Sequence, residues 1–310
     1  MTKNIYDIVI VGGGPAGLTA AIYGARANMN VLVLHKKNVG SLVSAHKIDN
    51  YPGFPEGLSG EELNDLMKKQ ALKYGAEIID ATLLDIDIYS TPKIVKTDKD
   101  NFAAKTIIIA TGWPKNNSKK IDGEEEFLGR GVSYCATCDG AFTKNLDVTL
   151  FGQGEEIAEE ALFLTKYSKS IKIFVNSDEL KCHKETYDAL VNNEKVEIIT
   201  NSELLKITGN DFVEKAIVKI NGIEKEVKAD YAFLYLGTKS SLELFTTFAN
   251  VDQNGYIITK DDMKTNIEGI YAAGDVREKS LRQVTTAVAD GTIAATEAIK
   301  YILKQKKKEA

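Results

Sequence analysis

The densest chemistry in this 310-residue chain is "SYCATCDGAF", which sets Cys135, Cys138 and Asp139 within five residues. Two cysteines at that spacing can close a small disulfide, and neighbouring groups can tune the thiolate character of each. An adjacent carboxyl can deliver or take a proton as a thiolate leaves. The rival reading is half of a zinc site, but tetrahedral zinc wants a second pair of ligands. Cys182 and His183 are the nearby candidates and are too few, so a redox dithiol is the stronger reading. Cys182 alone reads as a packed or surface thiol.

A second chemistry lies in "VIVGGGPAG", where Gly12, Gly14 and Gly17 stand in GxGxxG spacing. Gly12 permits a tight turn, Gly14 lets backbone approach a pyrophosphate, and Gly17 lets helix and strand pack closely. The helix that follows presents free N–H groups and partial positive charge to an anion. An acidic residue normally ends the second strand of such a unit, where it accepts from ribose hydroxyls. Here that place holds His35, whose neutral imidazole can also accept.

These residues need elements to hold them. Tyr6 to Val11 reads as a buried strand, Leu18 to Asn28 as a helix and Val31 to Leu34 as a second strand, one βαβ unit. A helix over Gly60 to Tyr74 is opened by Ser59 with Glu62 three residues on, a capping box. Lys105 to Ile109 is a strand ending in "ATG". From Asp147 the pattern restarts as strand, glycine turn, helix to about Lys166 and strand Ile171 to Val175. Tyr231 to Leu236 then ends in "GT", and a helical region, Gln283 to Leu303, follows "TNIEGIYAAGD". The expected fold is α/β, with one domain inserted within the other.

Composition limits the alternatives. A hydrophobic share of 44% and a charged share of 27% fit an ordinary globular protein, and a net charge of −5 gives no reason to expect nucleic acid. The tail "KQKKKEA" reads as the solvated end of the last helix. No signal peptide or apolar run able to span a bilayer is evident, so a cytoplasmic, non-membrane protein is expected.

Taken in order, "GGGPAGLTAAIYGARA", "NYPGFPEGLSG", "ATG", "CATCDGAF", "YAAGDVRE" and "RQVTTAVADGTIAA" resemble the low-molecular-weight thioredoxin reductases over nearly the whole chain. The resemblance implies two Rossmann-like three-layer dinucleotide-binding domains. A discontinuous FAD domain would span residues 1–112 and 242–310, with a dithiol domain over 113–241 inserted in it. It further implies that Gly12, Gly14, Pro15, Ala16, Gly17 and Asn50 line the FAD, with Thr111 and Gly112 beside it. Gly274 would belong to the same cofactor site and Asp275 would hold the ribitol, while Arg282, Gln283 and Val284 would reach the isoalloxazine. Ser41 occupies a flavin position where the family usually has glutamine. By the same resemblance Cys138 faces the flavin, Cys135 attacks the partner disulfide and Asp139 moves the proton. Thioredoxin is the implied partner, a homodimer the implied assembly, and the inserted domain is expected to rotate between flavin and thioredoxin.

One stretch departs from the NADPH-using members. Their second glycine turn reads GxGxxA, and an HRRxxxR motif ends the next strand. Here the turn is "GQGEEI", with Glu155 and Glu156 where a pyrophosphate would sit and Ile157 in place of the small residue. Carboxylates suit a helix amino terminus, so the helix is expected to supply its own anions. Val175, Asn176 and Ser177 stand where histidine and two arginines would clamp a 2′-phosphate, and Lys181 is the one cation left. In this the chain resembles family members that lack both nicotinamide motifs and take electrons from reduced ferredoxin. Lys119 and Lys120, or Lys166, Lys169 and Lys172, could form a basic patch for an acidic donor, but no docking site is assigned. The alternatives kept open are an NADH- or NADPH-dependent reductase with a remodelled pocket, and a dithiol oxidase that uses oxygen. A flavin-bound sensor, a different class, would not need both cysteines and the acid. A ferredoxin–NADP reductase would need no dithiol.

Overall fold

The computed structural model describes residues 5–36, 40–43, 45, 47–112, 121–236 and 245–309. The chain divides into two compact units, residues 1–115 with 240–310, and residues 116–239. The boundary residues 113, 241 and 242 expected from the sequence lie outside the described residues, as do Lys119 and Lys120.

The first unit begins with β1 (Ile5–Val11), α1 (Pro15–Arg26), β2 (Val31–Leu34), α2 (Gly60–Lys73) and β3 (Glu77–Ile79). It continues through β4 (Leu83–Asp87), β5 (Lys93–Thr97) and β6 (Asn101–Ile109). The sheet order is β3-β2-β1-β6-β5-β4. β1, β2, β3 and β6 run parallel, while β4 and β5 are antiparallel additions. Both faces of the parallel part are covered, which is why its strands are nearly uninterrupted apolar runs. Ile8 and Ile10 of β1 enter one core, and Val9 and Val11 enter the other. α1 starts at Pro15, earlier than the sequence pattern suggested, because proline is preorganised for a first helical position. The capping box at α2 forms: the Ser59 hydroxyl accepts from the Glu62 N–H, and the Ser59 N–H donates to the Glu62 carboxylate at 2.9 Å.

The second unit carries α3 (Glu124–Phe127), β7 (Val132–Ser133), α4 (Ala136–Asp139), β8 (Asp147–Gly152), α5 (Glu155–Leu164) and β9 (Ser170–Phe174). Next come α6 (Lys184–Val191), β10 (Val196–Ile199), β11 (Ser202–Gly209), β12 (Val213–Ile220), β13 (Ile223–Lys228) and β14 (Tyr231–Tyr235). Its parallel sheet has the order β10-β9-β8-β14-β7, and β11-β12-β13 form an antiparallel ribbon of their own. The ribbon's apolar side, with Leu204, Val213, Ala216 and Val218, covers one face of the parallel sheet, and Ile157, Ala158 and Leu164 of α5 cover the other. Back in the first unit, β15 (Ile270–Ala272) pairs with β6, and α7 (Val284–Glu309) packs along α1. α7 continues past the expected Leu303 and ends on Lys306, Lys307 and Lys308, cations that suit the negative end of the helix dipole.

Candidate active site

In the first unit the glycine turn is bounded by hard contacts. Gly12 has φ +117°, and a Cβ there would lie 2.2 Å from the Ala110 carbonyl oxygen, beside Thr111. A Cβ on Gly17 would lie 1.9 Å from the Gly12 oxygen. Gly14, the N-cap of α1, has nothing within 4 Å of its Cβ position, so its freedom faces open space rather than protein. No acidic residue occupies the first turn of α1 and no side chain caps it. The Ala16 and Gly17 N–H groups therefore keep the anion-binding disposition of a helix amino terminus. Gly13 is a requirement the motif did not announce: a Cβ there would meet His35 Nδ1 at 2.1 Å. Burial, then Lys68, lowers the His35 pKa, which keeps the ring neutral near pH 7 and able to accept.

The carboxy-terminal motifs close on the same turn. Gly274, at φ +79°, has its Cβ position 2.9 Å from Ala16 Cβ, and a Cβ on Gly291 would lie 2.1 Å from the Ala16 oxygen. The Gly274 N–H donates to Asp290 Oδ2 at 3.0 Å. Buried Asp290 also pairs with Arg277 at 3.2 Å and Lys279 at 2.7 Å, so its charge is fully answered. Asp290 has no signature of its own in the sequence, although it stands one residue before the Gly291 that packs on α1. Half-buried Asp275 follows Gly274. Asn50 Nδ2 donates to Gln283 Oε1 at 3.2 Å, joining two expected flavin residues that are 233 positions apart. The Arg282 guanidinium lies 3.8 Å from the centroid of Tyr256, a cation–π contact that holds the side chain just before Val284 opens α7. Thr111 Oγ1 donates to the Gly112 oxygen at 3.3 Å, and Ser41 lies in an exposed turn. An open Gly14, an uncapped helix start and a neutral acceptor at His35 fit a dinucleotide such as FAD.

In the second unit Cys135 and Cys138 form a disulfide with a Cα–Cα distance of 5.3 Å. Cys135, in extended conformation, is the N-cap of α4, and its Sγ accepts from the Cys138 N–H at 3.2 Å. The Cys135 N–H donates to Ser133 Oγ at 3.1 Å. Cys138 is exposed and Cys135 half-buried. Asp139 takes a hydrogen bond from Tyr231, whose hydroxyl is pushed far above its ordinary pKa by burial and then by that carboxylate. Glu160, from α5, accepts from the Ala136 N–H, from Thr137 Oγ1 at 3.0 Å and from the Tyr235 hydroxyl at 2.7 Å. No spacing in the sequence pointed to Tyr231, Tyr235 or Glu160.

The second glycine turn is occupied by its own side chains. Gln153 Oε1 accepts from the Gly154 N–H at 3.1 Å and from the Lys181 N–H at 2.8 Å. Gln153 Nε2 donates to Ser177 Oγ and to the Glu179 oxygen. Ser177 in turn donates to the Glu179 oxygen at 2.8 Å. Glu155 differs from expectation. Its carboxylate accepts from Thr186 Oγ1 and the His183 N–H, so it serves the amino end of α6 as well as standing at its own helix start. Those two bonds lower its pKa. Ile157 and Val175 are fully buried. The crevice at the strand ends, lined by Phe151, Phe174, Asn176, Leu204 and Tyr235, has a volume of about 240 Å³. Ligand pockets usually run from about 300 to 1,000 Å³. The lysines considered for donor docking have local roles: Lys169 pairs with Asp147, Lys172 with Glu197, and Lys166 lies over Phe163.

Among the described residues no group of three or more His, Cys, Asp or Glu side chains is placed to hold a metal, and no helix is long and apolar enough to cross a membrane.

Comparison with known proteins bears on this geometry. Residues 6–291 match the pyridine nucleotide-disulphide oxidoreductase family. The chain is 40% identical over 309 residues to a thioredoxin reductase of Peptoclostridium acidaminophilum, covering 97% of this chain and 98% of that one. It is 42% identical over 300 residues to a 34.2 kDa protein in the rubredoxin operon of Clostridium pasteurianum, covering 96% and 97%. The solved thioredoxin reductase of Streptococcus pyogenes MGAS5005 superposes with a TM-score of 0.90 at 38% identity, over 97% of this chain and 99% of that one. With a disulfide in one Rossmann-like unit and a nucleotide cradle in the other, the chain belongs to the pyridine nucleotide-disulphide oxidoreductases, among the low-molecular-weight thioredoxin reductases whose cofactor is FAD.

Proposed function

We propose that this protein reduces the disulfide of thioredoxin with electrons that come from a donor other than NADPH, reduced ferredoxin first among them. The observation that carries the reductase reading is the Cys135–Cys138 disulfide at the start of α4, with Asp139 beside it. Bound FAD, held by Gly12 to Gly17, Asn50, Gly274, Asp275 and Arg282 to Val284, would supply reducing equivalents in pairs to that disulfide and can gather them singly. Once reduced, the Cys135 thiolate attacks one partner sulfur, forming a mixed disulfide and expelling the other sulfur as a thiolate. Asp139 supplies the proton that the leaving sulfur takes, then accepts the proton of the Cys138 thiol and passes it to the second sulfur to leave. The Cys138 thiolate then attacks Cys135 Sγ, re-forms the internal disulfide and releases the second partner sulfur. Two electrons and two protons leave with the reduced partner. The same reading places the enzyme in the cytoplasm as a homodimer.

The choice of donor is supported by the second turn. The Gly154 N–H that would face a pyrophosphate is engaged by Gln153, Glu155 and Glu156 oppose phosphate charge, and Asn176 and Ser177 offer no cation. Anaerobic reduction of the flavoprotein, read in its visible spectrum, tests this with NADPH, NADH and reduced ferredoxin in parallel. Bleaching with ferredoxin alone is expected, and rapid bleaching with NADPH would overturn the choice. Cys138→Ser should reduce thioredoxin turnover to background, and turnover at the normal rate would reject the dithiol mechanism.

A further inference from the structure

The polar network under α4 has a clear asymmetry of charge. Cys135 is the N-cap of a single helical turn, and the N–H groups that open such a turn stabilise a sulfur anion at that position. The Cys138 N–H already points at Cys135 Sγ, at 3.2 Å. The next donor, the Ala136 N–H, is given instead to the Glu160 carboxylate and, at 3.2 Å, to the Tyr235 hydroxyl. Tyr235 itself donates to Glu160 at 2.7 Å, and Thr137 adds a third bond to the same carboxylate at 3.0 Å. A helix start that could favour a thiolate thus carries a half-buried carboxylate one residue away. Two like charges so placed disfavour each other, and the effect is stronger where water is excluded.

We propose that Glu160, held by Tyr235, is a positioning residue of the dithiol: it anchors the amino end of α4 and disfavours the thiolate on Cys135. This rests on the reading of Cys135–Cys138 as the redox pair. A dithiol whose interchange thiolate is held back is a stronger reductant once formed, because its reduced state is less stabilised than helix geometry alone would make it. The groups facing α4 are limited. Asp139 lies on the turn itself and is held by Tyr231 of β14. Tyr235 comes from β14, and Glu160 and the more distant Glu156 come from α5. Glu155 is turned to α6, and Glu159 is exposed. Tyr134, just before Cys135, donates to Glu124 at 2.6 Å. The 3-10 turn after α4, Gly140–Thr143, carries no titratable side chain.

The test uses FAD-loaded Cys138→Ser protein, in which Cys135 cannot re-form the disulfide. Its alkylation by iodoacetamide is followed from about pH 5 to about pH 10 by peptide mass spectrometry, so that Cys182 is counted separately. Adding Glu160→Gln keeps an oxygen to accept from Ala136 and removes the charge. The midpoint of the rate profile should fall by about one pH unit. Adding Tyr235→Phe instead leaves the carboxylate charged and strips a donor from it, so the midpoint should rise by a few tenths. Loosening of the turn by itself would move both variants in the same direction. An unchanged midpoint in Glu160→Gln, or shifts of one sign in both, would overturn the proposal. The readout uses no thioredoxin and no electron donor, so failure of the thioredoxin assignment would show in turnover and not here.

Discussion

The two units place the same topology under two different glycine turns. In the first, β1, a turn and α1 lead to β2, in the order β3-β2-β1-β6; in the second, β8, a turn and α5 lead to β9, in the order β10-β9-β8-β14. Even the exits match. The His35 N–H after β2 donates to the next strand at Ile79, at 2.8 Å, and the Val175 N–H after β9 donates to Ile199, at 2.9 Å. The side chains at those exits differ: His35 presents a neutral acceptor, while Val175 is fully buried and presents none. At the turn itself, a side chain on Gly17 would overlap the Gly12 oxygen, whereas Ile157 at the same offset from Gly152 is accommodated in the core. The two turns also differ in backbone conformation: Gly14 has φ −87°, whereas Gly154 has φ +103°. A few atoms set what each turn presents to a ligand, and the layers beneath need not change with them.

The largest effect expected is at Gly17. Gly17→Ala puts a methyl 1.9 Å from a backbone oxygen that cannot swing aside. Overpacking of this kind costs on the order of 3 kcal/mol, and the cradle distorts with it. The purified variant should lose most of its visible flavin absorbance as well as melting earlier. Gly154→Ala in the second turn meets no atom within 4 Å, and its cost comes from φ +103° alone, about 1–3 kcal/mol. Its flavin content should not change. Full flavin retention in Gly17→Ala would break the comparison.

A smaller effect tests the closure of the second turn. Gln153→Ala removes the side-chain bonds to the Gly154 N–H, the Lys181 N–H, Ser177 and the Glu179 oxygen. Partly exposed neutral bonds of this kind should together contribute about 1–2 kcal/mol, read as a lowered denaturation midpoint. NADH should still fail to reduce the flavin, because Glu155 and Glu156 remain. Only the triple variant Gln153→Ala/Glu155→Ala/Glu156→Ala should show slow bleaching with NADH. Bleaching by the single variant would mean that Gln153 alone shuts the site.

The legible parts of the fold were those with a local signature. Val31–Leu34 is an uninterrupted apolar strand, Ser59 and Glu62 form a capping box, and the first glycine turn has its spacing. The antiparallel ribbon β11-β12-β13 escaped. Register shifts near Leu204/Lys206 and Thr208/Gly209 interrupt the alternation of β11, and β13 is almost wholly exposed, with no apolar face to betray it. The dipeptide Asn221-Gly222, at φ +50° and +83°, was a hairpin signal that could have revealed the β12–β13 turn. Within the site, Cys135, Cys138 and the glycines were readable because their chemistry is set by short spacings. Tyr235 and Glu160 were not, since they meet across 75 residues and each alone reads as an ordinary strand tyrosine or helix glutamate. Gly13 became necessary only when His35 was seen against it.

The smallest effect concerns how each unit anchors its first strand. Asp7 near the start of β1 pairs with Lys105 at 2.8 Å, and Asp147 at the start of β8 pairs with Lys228 at 2.7 Å. Both carboxyls titrate below their ordinary value. For Asp7, burial is the largest influence and opposes the shift, and the Lys105 bond, the Asn30 N–H and the lysine charges together outweigh it, whereas the Lys228 and Ser170 bonds bring Asp147 from 3.8 to about 2. A carboxyl whose folded pKa is depressed stabilises the fold above its unfolded value, and that contribution fades as pH falls through the folded one. For Asp147 the window therefore runs from about pH 4 down to about pH 2. Lys228 is 68% exposed, so solvent screening cuts the contribution to about 1 kcal/mol. Asp147→Asn should melt slightly earlier than the parent at neutral pH, with the difference closing below about pH 3 and shrinking in high salt. If it persisted unchanged at low pH, the carboxylate charge would not be its source. The Ser170 hydrogen bond, which an asparagine oxygen can still accept, would then have to be weakened by geometry rather than by charge.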